Sequence, residues 1–136
     1  LGTLLWYGRG VNSSILTALS TLASQQTKPT TQTMTRLKQL LDYIASQDPA
    51  VITYHKSNMV YSIRSDAGYL NEAEARSRAG GHHYLSDKQP FPPNNGAILT
   101  VSEIIKAVMS SAAEAELGAL YVSACKGVEI RNILEE

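Results

Sequence analysis

An acid stands inside a strand-forming run: Tyr61-Ser62-Ile63-Arg64-Ser65-Asp66-Ala67-Gly68-Tyr69. Asp is depleted in strands because its side chain competes for backbone hydrogen bonds and costs free energy when desolvated. A cation is the usual compensation. Further along, Ser110-Ser111-Ala112-Ala113-Glu114-Ala115-Glu116-Leu117 sets two acids at the opening of a helix. Carboxylates are the hard oxygen ligands that Mg²⁺ selects, so the two segments together suggest half of a carboxylate metal site. Taken singly, each acid has another reading. Asp66 is then a turn acid at a strand end, and Glu116 a solvated acid favoured by the helix dipole.

The remaining reactive side chains read as structural. His82 and His83 alternate across a strand and cannot both hold one ion, so one is expected buried and one exposed. Cys125 is expected as a small packing residue within a helix. Being the only cysteine, it excludes an intrachain disulfide and fits a reducing, intracellular compartment, cytoplasmic or nuclear. Trp6 and Tyr7 are expected in a core rather than stacked on a base. Arg36 and Lys38 fall on a solvated helix face. Twelve basic residues balance twelve acidic ones, so no overall field draws nucleic acid and a local patch would have to. No apolar run approaches the roughly 20 residues of a membrane span.

These residues need a scaffold, and 136 of them make one domain, or a small domain with an attached piece. Leu1 to Tyr7 reads as a short helix closed by Gly8 and Gly10. Asn12, Ser13 and Ser14 offer caps to a second, through Ile15, Leu16, Leu19 and Leu22. After Lys28-Pro29, a third carries Met34, Leu37, Leu40, Leu41 and Ile44 as its apolar stripe, capped by Thr30 or Thr31 and ended by Asp48-Pro49. Beyond Pro49 the period changes. Val51 to Tyr54 and Met59 to Ile63 read as a hairpin around Lys56-Ser57-Asn58. Arg78 to Leu85 is a further strand, with Gly80-Gly81 marking a bulge or a close backbone approach. Ala97 to Val101 is strand again, while Glu103 to Val108 would pass locally as helix. A last helix runs from near Ser111 to the end, through Leu117, Leu120, Tyr121, Ala124 and Val128. Its start fits a capping box, Ser111-x-x-Glu114, which occupies Glu114 and leaves Glu116 free.

In this order the segments resemble the C-terminal part of a copia-type retrotransposon polyprotein, where reverse transcriptase runs into ribonuclease H. Leu1-Gly2-Thr3-Leu4-Leu5-Trp6-Tyr7 is similar to that family's Gly-x-Leu-Leu-Tyr opening. Lys28-Pro29-Thr30 and Leu37-Lys38-Gln39-Leu40-Leu41-Asp42-Tyr43-Ile44 resemble its Lys-Pro-Thr break and the helix after it. Ser65-Asp66-Ala67 matches a Ser-Asp-Ala box. Arg76-Ser77 with Gly80-Gly81 resembles an Arg-Ser-x-Ser-Gly-Tyr strand, with Ala79 in place of Ser. Ser110 to Leu117 resembles Ser-Ser-x-x-Glu-Ala-Glu-Tyr.

The resemblance implies an α+β fold. A helical segment over 1–48, like a reverse transcriptase thumb or connection, precedes the N-terminal half of a ribonuclease H-like domain over 50–136. That half is an antiparallel three-stranded meander with a packed C-terminal helix, lacking the later strands. It implies that Ala97 to about Ile105 is strand despite its local pattern. The family chemistry is hydrolysis of RNA in RNA–DNA hybrids by two Mg²⁺ (or Mn²⁺) ions about 4 Å apart, with Asp66 and Glu116 as catalytic metal ligands. The family site has four carboxylates. The last two come from segments beyond this helix, so the rest of the polyprotein is an implied partner and the isolated chain is expected to have little or no nuclease activity. The competing expectation is a decayed or repurposed module with a structural or interaction role.

Overall fold

The computed structural model describes residues 1–136 and divides into two compact units, Leu1–Ile52 and Thr53–Glu136. The first is helical. Helix α1 spans Gly2–Gly10, a 3₁₀ turn over Ser13–Ile15 leads into α2 at Leu16–Ser24, and α3 spans Thr31–Ser46. Thr30 caps α3: its hydroxyl accepts from Thr33 N–H at 3.2 Å, and the Thr33 hydroxyl accepts from Thr30 N–H. Asn12 accepts from Ser14 N–H and sets the 3₁₀ turn. The core here is Ile15, Leu19, Leu22 and Leu40, flanked by Leu4, Tyr7, Leu37 and Ile44. The α3 stripe is narrower than its sequence period suggests, because Met34 and Leu41 face solvent. Trp6 is 77% exposed, against its expected place in a core, while Tyr7 does pack.

The second unit is α+β: strands β1 (Val60–Glu72), β2 (Arg76–Ser86) and β3 (Ala97–Ile104), then helix α4 (Ala112–Glu135). The strands form an antiparallel sheet in the order β1-β2-β3. β3 prevails over the local helical pattern because its backbone completes the β2 ladder, from Ala97 opposite Tyr84 to Ile104 opposite Arg78. The hairpin expected over Val51–Ile63 does not form, and residues 51–59 make no strand. Its place is taken by side chains that imitate a ladder. Asn95 accepts from His55 N–H and donates to His55 and Leu85 carbonyls, each at 2.8 Å. Asn58 N–H donates to Asp87, and Met59 has φ 60°, outside the strand region.

Helix α4 lies on the face that carries Ile63, Ala67, Ala79 and Gly81, and the contact is made by small residues. Ala115, Ala119, Ser123 and Gly127 are its buried side. A Cβ on Gly81 would come within 2.8 Å of Ser123 Oγ, and one on Gly127 within 2.7 Å of Ile63 Cδ1, so helix and sheet approach too closely for larger residues. The large apolar residues of α4 consequently look outward: Leu117, Leu120, Tyr121 and Val128 are all exposed. Cys125 is exposed as well, not packed. No helix is long and apolar enough to cross a membrane.

Candidate functional site

Asp66 sits midway along β1, opposite Gly80 of β2, and is exposed. Strand alternation fixes its direction. Ala67 packs with Ala79, Ile105 and Ala119 under α4, and the pairing is regular from Val60 to Gly68. Asp66 therefore leaves the sheet on the other face. That face also carries Arg64 and Arg78. Arg64 donates to Tyr84 Oη at 3.0 Å and to the Pro92 carbonyl at 2.8 Å. Asp66 itself has no hydrogen-bond or ion-pair partner.

Glu116 lies on α4, exposed, beside the buried Ala115. The cap in front of it works with one change from expectation. Ser111 Oγ accepts from Glu114 N–H at 3.1 Å, but the Glu114 carboxylate returns to Ser110 rather than Ser111. It accepts from Ser110 N–H at 2.6 Å and from the Ser110 hydroxyl at 2.5 Å. Those two bonds hold the Glu114 carboxyl below its ordinary pKa. The sheet carries one acid, on the face away from α4, and the helix carries the other. Nowhere do three His, Cys, Asp or Glu side chains gather into a group able to hold a metal ion. The face that Asp66 shares carries Arg64 and Arg78, the latter already ion-paired to Glu72.

The chain matches no known family model, no curated protein and no solved structure.

A polar cluster between sheet and helix is the feature that residue types alone do not reveal. His83 is fully buried while His82 is partly exposed, its Nε2 3.0 Å from the Asn95 carbonyl. His83 Nδ1 is 2.5 Å from Tyr61 Oη, and its Nε2 has no partner; neither does the buried hydroxyl of Ser123 on α4. Burial pushes the His83 imidazole below its ordinary value, helped by the neighbouring His82, and burial raises the Tyr61 phenol. The only sequence signal was the alternation of the two histidines.

The depressed His83 pKa has a stability consequence with a definite sign. The unfolded chain takes up this proton near pH 6.5, the folded one only at lower pH. Between those two points the unfolded state binds more protons, so stability falls as pH falls. Urea midpoints should drop from pH 7.5 to pH 5.5 in the native chain. In His83→Gln they should drop less, whatever that variant's stability at pH 7.5. Equal slopes in the two proteins would remove His83 as the cause.

Proposed function

We propose that this chain is a segment of a copia-type reverse transcriptase/ribonuclease H polyprotein, and that on its own it does not hydrolyse RNA–DNA hybrids. The order of elements supports the first half. A helical unit ends at a proline break, then comes an antiparallel β1-β2-β3 sheet with an acid in β1, then a Ser-capped helix with an acid behind the cap. This is the order the ribonuclease H-like reading requires. The second half rests on the carboxylates. Only Asp66 and Glu116 match family ligand positions, two of the four carboxylates that the resemblance calls for, and both are exposed. Two carboxylates alone are a poor holder for a pair of Mg²⁺ ions, which need several oxygen ligands each.

The test uses a labelled RNA–DNA hybrid with Mg²⁺ or Mn²⁺. Cleavage should stay at the level of the protein-free control, and Asp66→Asn and Glu116→Gln should leave it there. Efficient cleavage abolished by Asp66→Asn would overturn the proposal.

One observation favours a second reading, a repurposed module that no longer serves the nuclease. Asp66 shares its face with Arg64 and Arg78, surroundings better suited to an ion pair than to a divalent cation. The coding sequence downstream separates the two readings. An in-frame Asp-Asn segment followed by a later Asp supports a nuclease fragment, and its absence supports the module.

A further inference from the structure

β1 forms one border of the sheet, and no strand pairs with its outer edge. A long open edge is a template for another strand, which proteins normally blunt or cover. This one is neither short nor rich in lysine, and it contains no proline. Its residues are also nearly palindromic. Laid antiparallel against itself about Ser65, the strand sets Arg64 opposite Asp66, Ile63 opposite Ala67, Ser62 opposite Gly68 and Tyr61 opposite Tyr69. Opposite charges and apolar or aromatic residues facing each other across a ladder are the pairings that stabilise antiparallel strands. The segment that could pair this way is bracketed by two left-handed residues, Met59 at φ 60° and Leu70 at φ 51°. These interrupt extended backbone just outside the self-complementary stretch.

A further observation points to the same edge. Asp66 is exposed and unpartnered, although two arginines lie on its face. In a paired edge it would meet Arg64 of the other copy, and Arg64 would meet Asp66, making two symmetric charge pairs.

We infer that the outer edge of β1 pairs antiparallel with the same strand of a second copy of this chain, in register about Ser65, giving a continuous six-stranded sheet. The occupant is a second copy because the edge is complementary to itself in charge and in apolar content at the same register. This goes beyond the nuclease reading and does not depend on it.

The experiment is sedimentation equilibrium on the full chain across a range of concentrations, with two variants. The native chain should approach twice its 14.8 kDa mass. Asp66→Arg sets arginines opposite one another at both symmetric positions and should weaken the dimer tenfold or more. The Asp66 side chain is exposed and makes no hydrogen bond or ion pair within the chain, so the fold should survive, as circular dichroism can check. Ser65→Cys, in a Cys125→Ser background, should cross-link into a disulfide dimer under mild oxidation, because Ser65 meets its own copy at the two-fold axis. A native chain that stays monomeric at 100 µM (roughly the weak end of specific association) overturns the inference. So does a dimer that Asp66→Arg leaves intact, or one that Ser65→Cys fails to cross-link.

Discussion

Replacing Glu72 with Ala should destabilise the sheet unit by about 3–5 kcal/mol, the usual cost of stripping one partner from a buried ion pair. Arg78 Nε donates to Glu72 Oε1 at 2.5 Å, with the two side chains only 7% and 10% exposed. Arg78 Nη1 reaches the Ser102 hydroxyl at 3.1 Å, and Nη2 is buried with no partner at all. The guanidinium therefore has little polar company to fall back on. Removing the carboxylate leaves a buried cation one bond poorer, and water cannot enter without opening the sheet. The pair also explains the geometry. Pairing of β1 with β2 shifts between Gly68 and Glu72, and that irregularity brings Glu72 back over β2. Glu74→Ala is the control within the same turn. Its bridge to Arg76 is 2.9 Å long but exposed, at 40% and 76%, and such pairs contribute about 0–1 kcal/mol. Urea denaturation followed through β2 amide signals should separate the two variants clearly. Exchanging both buried partners, Arg78→Met with Glu72→Met, should recover much of the loss, since no charge is then left stranded. If Glu72→Ala behaves like Glu74→Ala, the pair is not a structural element.

How far the fold could be read from sequence depended on whether the deciding interaction was local. The cap of α3 by Thr30 and its stop before Pro49 are set by neighbouring residues, and both are where the sequence puts them. The start of α4 behind Ser111 is equally local. β3 was not readable from its own pattern, since Glu103 to Val108 suits a helix; the ladder with β2 decides it. The expected hairpin failed for the converse reason. Val51 to Tyr54 has strand propensity, but just after it the His55 backbone is taken by the Asn95 side chain, some way along the chain.

The burial of α4 was misjudged by size. Large apolar residues normally mark the inner face of a helix, yet here the distance between helix and sheet admits only Ala, Ser and Gly. Leu117, Tyr121 and Val128 are left outside, and Cys125 with them. The types and elements of Asp66 and Glu116 were legible, but pointing is a separate property. Ile63 and Ala67 share one strand face, so simple alternation already sends Asp66 to the other. Which of those faces a helix covers is tertiary information.

Leu19→Ala should unfold the Leu1–Ile52 unit while the sheet unit stays folded. Five apolar side chains are buried there, and Leu19, at 1% exposure, belongs to their central cluster with Ile15, Leu22 and Leu40. Truncating a buried leucine costs about 2–5 kcal/mol in lost transfer free energy plus cavity. A single core in a unit this small rarely supplies more than about 3–5 kcal/mol. No disulfide can make up the difference, because the one cysteine is Cys125, in the other unit. The substitution therefore removes most or all of the margin. Leu41→Ala is the contrast on α3. That residue shares the stripe by period but is 46% exposed, so the expected loss is about 1 kcal/mol or less. Amide exchange read residue by residue gives the outcome directly. In Leu19→Ala, protection should vanish through α2 and α3 and persist through β2 and α4, and limited proteolysis should leave a fragment beginning near Thr53. Loss of protection in both units at once would mean that they fold as one cooperative body, and each would then owe its stability to the other.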